Sequence, residues 1–266
     1  MNTEQLNAEE LQDARSFAEQ IAQEAGELTL GYFRKPIEVE RKLDNSPVTI
    51  ADRESESLLR ERILHRYPEH AVIGEEFGEG GGHGSSYTWV LDPIDGTKSF
   101  VKGIPLYCVL VALLHEQQPL LGVIHNPALG ETVSAAHNAG CSYQGRPTSV
   151  SSETDLSDAW LMVTDPADMA RLQPEFGRRL YSAFGHVRTW ADAYGYLLVA
   201  TGRAEAMIDP IMNLWDIAAL KPIIEEAGGR FTDIDGNDDP TGSSAIAAAP
   251  AIHDAVLALR RRDLSI

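Results

Sequence analysis

The stretch Trp89-Val-Leu-Asp92-Pro-Ile-Asp95-Gly96-Thr97-Lys98 sets two aspartates three apart, on a rigid proline and a glycine, where an apolar run ends. Asp, Pro and Gly are ordinary turn formers, so a plain turn is one reading. A magnesium site is the other. A hard divalent cation takes carboxylate, carbonyl and hydroxyl oxygens, and Asp92, Asp95, the Ile94 carbonyl and Thr97 offer all three within six residues. Three further acids stand at the edges of apolar elements: Asp52 in Thr49-Ile-Ala-Asp52, Glu75 after Ala71-Val-Ile-Gly74, and Asp216 after Asn213-Leu-Trp. Singly, each has a local explanation as a capping box, a solvated strand end or a favourable first-turn charge. Gathered in one place, such carboxylates repel one another and must take up protons or hold cations.

Other chemistries fit less well. Asp233-Ile-Asp235-Gly236 has the Asp-x-Asp spacing of aspartyl-phosphate enzymes, but it follows the elements that would have to carry that chemistry. As a calcium loop it has Asp238 where the invariant Gly belongs and Ser244 where the Glu belongs, so it reads as a polar turn. The eight histidines form no HExxH or similar cluster. Cys108 and Cys141 are too few for a thiolate metal site or a disulfide framework. The glycine-rich Gly78–Ser86 lacks the Lys-Ser/Thr ending of a phosphate loop and reads as a mobile connector.

Composition narrows the partners. The 266 residues, 43% hydrophobic and 23% charged, are those of an ordinary globular protein. Forty acids against 22 bases give a net charge of -18, which repels nucleic acid and makes a phosphorylated substrate hard to bind unless cations accompany it. No signal or transit character marks the polar N-terminus, and the longest apolar run, Leu106–Leu114, is half of what a membrane span needs. The expectation is a cytoplasmic protein with no membrane or nucleic-acid partner.

The elements that must position these acids follow from periodicity. Leu11, Ala14, Phe17, Ala18, Ile21, Ala22, Ala25 and Leu28 predict a helix over 8–32, with Asn7 and Glu10 as its capping box. A strand near 37–42, a helix over 50–66 and a strand over 71–74 follow. From 87 to 150 the pattern is strands and tight turns, which predicts an antiparallel sheet. After 151 it alternates: strands at 159–163, 205–209, 230–234 and 245–249, and helices at 167–184, 191–200, 215–227 and 251–261. The chain therefore divides into an α+β half, residues 1–150, with most candidate ligands, and an α/β half, residues 151–266, carrying Asp216.

Taken in order, Thr49-x-x-Asp52, Gly74-Glu75-Glu76, Trp89-x-x-Asp92-Pro-Ile-Asp95-Gly-Thr97 and Trp215-Asp216-x-Ala218 resemble the inositol monophosphatase superfamily, and the likeness runs from the first helix to Gly228-Gly229. The resemblance implies a layered α-β-α-β-α sandwich of α/β (α+β) class, a homodimer, and Mg²⁺-dependent phosphomonoesterase activity by direct attack of a metal-activated water. It assigns one Mg²⁺ to Glu75, Asp92 and the Ile94 carbonyl, a second to Asp92, Asp95 and Asp216, and a third, weaker ion near Glu75. Thr97, bonded to Asp52, would orient and deprotonate the water, and the Gly96 and Thr97 amides would receive the phosphate.

Two segments bear on the ester. Lys98 follows the Asp-Pro-Ile-Asp-Gly-Thr run where inositol phosphatases carry Thr, and Arg188-Thr-Trp190-Ala191-Asp192-Ala-Tyr194-Gly-Tyr196 replaces their Gly-Ser/Thr pair. With Asp209-Pro-Ile-Met-Asn213-Leu-Trp-Asp216, these look like the histidinol-phosphatase branch, except that Ala191 stands where that branch has Gly. Histidinol phosphate carries an ammonium and an imidazole, which suit Asp192 and Asp209 as substrate-binding acids. Tyr194 and Tyr196 read as core. The alternative is an inositol-1-monophosphatase or a phosphatase of broad sugar or nucleotide phosphate specificity.

Overall fold

The computed structural model describes residues 6–42, 46–82, 84–190, 192–238 and 242–261. In chain order, α1 (Ala8–Leu30), β1 (Val39–Arg41), β2 (Pro47–Thr49), α2 (Ile50–Arg66), β3 (Ala71–Gly74), β4 (Gly78–Gly81) and β5 (Tyr87–Asp95) lead into the short α3 (Thr97–Val101). Then come β6 (Cys108–His115), β7 (Gln118–Asn126), β8 (Glu131–Ala136), β9 (Gly140–Tyr143), β10 (Arg146–Pro147) and β11 (Trp160–Met162). The chain continues through α4 (Pro166–Leu172), α5 (Pro174–Ala183), β12 (His186–Arg188), α6 (Ala193–Ala200) and β13 (Ala206–Asp209). It closes with α7 (Leu214–Glu226), β14 (Arg230–Thr232), β15 (Ala245–Ala248) and α8 (Pro250–Arg261).

Side-chain alternation explains the layers. On β6, Val109, Val111 and Leu113 face α1 and α2, whereas Cys108, Leu110, Ala112 and Leu114 face α6 and α7. On the second sheet, Met207, Ala245 and Ala247 face α6 and α7, whereas Ala206, Ile208, Ile246 and Ala248 face α4, α5 and α8. An eight-stranded sheet and a five-stranded sheet thus share the middle helix pair, in α-β-α-β-α order. Both sheets are apolar on each face because each is covered twice.

Helix starts are set locally. Asn7 Oδ1 accepts from the amides of Glu9 and Glu10, and Glu10 Oε2 accepts from Asn7 N at 2.9 Å. Two expectations change. Gly78–Gly81 is a strand, antiparallel to β3, and not part of a free connector. The expected helix over 167–184 is two, because Pro174 brings no amide to continue α4 and instead starts α5. The strands from β5 to β10 pair antiparallel throughout, as expected, and β3 joins them in the same sheet parallel to β5.

Candidate active site

The two central aspartates lie on a bulge within β5, not beyond its end. Asp92 is opposite Leu110 and Asp95 opposite Cys108, so Pro93 and Ile94 together face the single residue Val109. Residues three apart on a regular strand point to opposite faces. The extra residue restores the phase, and both aspartates share the Cys108–Leu110 face toward α6 and α7. The Ile94 side chain instead packs with Ala51, Phe100 and Tyr107, and its amide donates to Asp92 Oδ1 at 3.0 Å.

Asp216 reaches the same place from the first turn of α7. Its Oδ2 accepts from the Asn213 amide at 2.7 Å and from Asn213 Nδ2 at 3.2 Å, so it both caps the helix and faces the aspartates. Asp92, Asp95 and Asp216 each offer a carboxylate oxygen within 4.8 Å of the others. Asp52 is likewise divided. Its Oδ2 takes the capping box of α2, from Thr49 N at 2.9 Å and Thr49 Oγ1 at 2.6 Å. Its Oδ1 faces Thr97 Oγ1 at 3.3 Å, and that hydroxyl also lies 3.0 Å from the Ile94 carbonyl.

A cleft of about 390 Å³ is lined by Glu75, Asp92, Ile94, Asp95, Gly96, Thr97, Asp216 and their neighbours. Glu75 stands apart from the tight trio, and Lys42 Nζ holds it at 2.7 Å and Glu76 at 2.6 Å. Gly96, which starts α3, has φ +88° and no room for a side chain, since a Cβ there would lie 2.9 Å from Asp192 Oδ2. A smaller cavity of about 90 Å³ shares Asp95 and Asp216 with the cleft and adds Asp192, Asp209, Thr164 and Tyr196. Asp209 accepts from the Thr164 amide at 3.2 Å and from Tyr196 Oη at 2.9 Å. Asp192 donates its amide to Thr164 Oγ1 at 3.2 Å, and Ala193 N donates to Asp95 Oδ2.

The charges are held against their preference. Burial, then Glu75, Asp95, Asp216 and Asp52, raise the Asp92 carboxyl well above the carboxylate range. Burial with Asp192 and Asp216 does the same to Asp95. Burial is also the main cause that lifts Asp216 and Asp192 to about 7 and Asp209 to about 6. Asp52 is raised, chiefly by burial, although its bonds from Thr49 oppose the shift. Burial works against the Lys42 charge, but Glu75 and Glu76 outweigh it and raise its pKa.

This donor set suits a hard cation. The trio and the nearby Ile94 carbonyl are all oxygen, and their mutual repulsion is what a divalent ion relieves. All of Asp52, Glu75, Asp92, Ile94, Asp95, Gly96, Thr97 and Asp216 come to one cleft or its wall, with Asp192 and Asp209 in the cavity beside it. Ala191 lies outside the described residues. Tyr196 is core, as expected, yet its hydroxyl serves Asp209. Lys42 and Thr164 carried no local signal, because their roles depend on partners 33 and 45 residues away.

The match to the family model described as the inositol monophosphatase family spans residues 10–265, and the chain belongs to that family. The histidinol-phosphatase of Chlorobaculum parvum is 40% identical over 242 residues, which is 86% of this chain and 89% of that protein. The histidinol-phosphatase of Mycobacterium tuberculosis is 39% identical over 246 residues, 89% of this chain and 94% of its own. Among solved structures, Thermotoga maritima IMPase superposes with a TM-score of 0.86 at 28% identity, over 94% of this chain and 97% of that one. The protein is therefore a phosphatase, a phosphoric monoester hydrolase of the inositol monophosphatase superfamily, and its substrate is a small phosphorylated molecule. Among the described residues no helix is long and apolar enough to cross a membrane.

Proposed function

We propose that the protein is a Mg²⁺-dependent phosphatase of L-histidinol phosphate, releasing L-histidinol and phosphate. The observation that carries the substrate is the small cavity, where Asp192 and Asp209 adjoin the carboxylate cleft. Among the described residues no lysine or arginine lines its wall, and the one cation acting on Asp192 is Lys98, which lowers its pKa against the larger effect of burial. An ammonium or a protonated imidazole suits such a wall, whereas a second phosphate would be repelled. The two histidinol-phosphatases of similar sequence support the same reading.

Glu75, Asp92, Asp95, Asp216 and the Ile94 carbonyl would hold two Mg²⁺, with a third near Glu75. Cations bound there supply Lewis acidity toward water and toward the phosphoryl oxygens. The Thr97 hydroxyl has one proton to give. When it donates to Asp52 Oδ1, its lone pairs are free to orient a water and accept the proton that the water loses. Burial makes Asp52 a better base than an exposed aspartate, because its raised pKa favours taking that proton through Thr97. The Gly96 and Thr97 amides, at the start of α3, would steady the phosphate. Asp192 and Asp209 would orient the cationic end of the alcohol, and Thr164 and Tyr196 hold them in place.

A phosphate-release panel of histidinol phosphate, inositol 1-phosphate, fructose 1,6-bisphosphate and a 3′-phosphonucleotide tests the reading. The highest kcat/KM is expected with histidinol phosphate. Faster turnover of inositol 1-phosphate would instead identify an inositol monophosphatase, and equal rates a broad sugar-phosphate enzyme. The proposal includes a cytoplasmic homodimer, and light scattering at micromolar protein checks the mass.

A further inference from the structure

Glu56 is a carboxylate that the chemistry above does not use. It lies on α2 one turn beyond Asp52 and is fully buried. Its Oε2 accepts from the Glu76 amide at 2.7 Å, and its Oε1 accepts from the Phe77 amide at 3.2 Å and from Arg60 Nε at 2.7 Å. It occupies the space left by a missing side chain on β3, because a Cβ on Gly74 would come within 2.1 Å of Oε1. Arg60 extends the grip by donating to the Gly78 carbonyl.

These contacts bracket Glu75. Residue 74 packs on the Glu56 carboxylate, and residues 76 and 77 donate to it. Glu75 itself has one ladder bond, from its amide to Leu91 O at 3.2 Å, before the chain turns. A buried carboxylate is costly unless several donors satisfy it. Two backbone amides and a guanidinium do so here, and charge-assisted bonds of this kind hold a turn more firmly than neutral ones.

We propose that Glu56 is a positioning residue for Glu75: it fixes the 75–77 turn so that the Glu75 carboxylate is presented to the cleft, and it thereby sets the affinity of the cation that Glu75 would hold. The proposal rests on the reading of Glu75 as a metal ligand. Glu56 touches neither cation nor substrate.

Mn²⁺ binding, followed by electron paramagnetic resonance of the free ion in phosphate-free protein, tests it without turnover. Glu56→Gln keeps the size but turns an amide NH₂ toward at least one N–H donor, because both carboxylate oxygens accept from donors. It is expected to weaken one class of Mn²⁺ sites about 10- to 100-fold, the range found when an outer partner of a metal site is lost. Glu75→Gln should weaken the same class, and the double variant should lose little more than Glu75→Gln alone, since coupled residues are not additive. Should Glu56→Gln fail to fold, Glu56→Asp retains the charge and withdraws it by one methylene, and is expected to show the same loss to a smaller degree. Wild-type affinity in a folded Glu56 variant, or losses that add in the double variant, would overturn the proposal. Wild-type protein that binds no Mn²⁺ would overturn it together with the metal reading, whereas a different preferred ester would leave it standing.

Discussion

Asp92 and Asp95 stand on one face of the large sheet although they are three positions apart, because the Pro93-Ile94 bulge puts them opposite Leu110 and Cys108. Their charges are therefore concentrated where Asp216 arrives: beyond the effect of burial, Asp95 and Asp216 raise the pKa of Asp92, and Asp216 raises that of Asp95. Asp95→Asn removes one charge without changing shape. Outer partners of a metal site cost about 10- to 100-fold when lost, so a ligand should cost at least 100-fold in kcat/KM. The same variant should melt higher than wild type in EDTA, since a repelling carboxylate is gone, and should gain less from added Mg²⁺. Unchanged Mg²⁺-dependent activity would show that Asp95 is not a ligand.

Thr97 and Asp52 separate catalysis from stability. Thr97→Ala removes the hydroxyl that faces Asp52 and the Ile94 carbonyl, together with the γ-methyl group. Activity should fall steeply while the melting temperature holds, and Thr97→Ser should recover much of the rate. Asp52→Asn disturbs the α2 capping box as well. It should cost about 1 kcal/mol of stability on top of the lost activity. Thermal denaturation beside steady-state kinetics distinguishes the two patterns.

The metal-free protein should be most stable in mild acid. Asp92, Asp95, Asp192, Asp209 and Asp216 all have raised pKa values, the last three at about 7, 6 and 7. Between the unfolded value of about 4 and these folded values, the five acids bind more protons in the native state than in the unfolded chain, so their contribution to stability falls as pH rises. The lowered values of half-buried His70 and of buried His125 and His253 work the other way up to about pH 6.5. Melting in EDTA should move down between pH 5 and pH 8, and the Mg²⁺-induced rise in melting temperature should grow over the same interval. Asp209→Asn, neutral throughout, should flatten the metal-free profile. A metal-free melting temperature that climbs from pH 5 to pH 8 would contradict the assigned shifts.

Asp192 sits at φ +52° and ψ −154°, a conformation that favours glycine. Holding a side chain there costs on the order of 1–3 kcal/mol. Asp192→Gly should therefore melt several degrees higher, about 2–4 °C per kcal/mol for a chain of this size. It should also lose preference for a cationic alcohol, with KM for histidinol phosphate rising more than KM for inositol 1-phosphate. A lower melting temperature would mean that the carboxylate contributes more than the strain costs.

Most elements were legible in the sequence because their causes are local. The Asn7–Glu10 and Thr49–Asp52 capping boxes mark helix starts within four residues, and the near-continuous apolar runs of β6 and β7 mark buried strands. The β4 strand was hidden by its glycines, which weaken any strand signal and are tolerated there because β3 supplies the partner. Pro174 was present in the sequence, yet apolar spacing across it suggested one helix where the missing amide makes two.

The candidate ligands could be chosen from residue types alone: acids at the ends of apolar elements, beside a proline and a glycine, are already the vocabulary of an oxygen-ligand site. Their assembly could not be. Pairing of β5 with β6 creates the bulge, packing of α7 beneath the sheet delivers Asp216 from more than a hundred residues away, and Lys42 meets Glu75 only when β3 and the β1–β2 ribbon are both in place. Local chemistry selects the groups, whereas long-range strand register and helix packing decide which of them share a space small enough for their charges to act on one another.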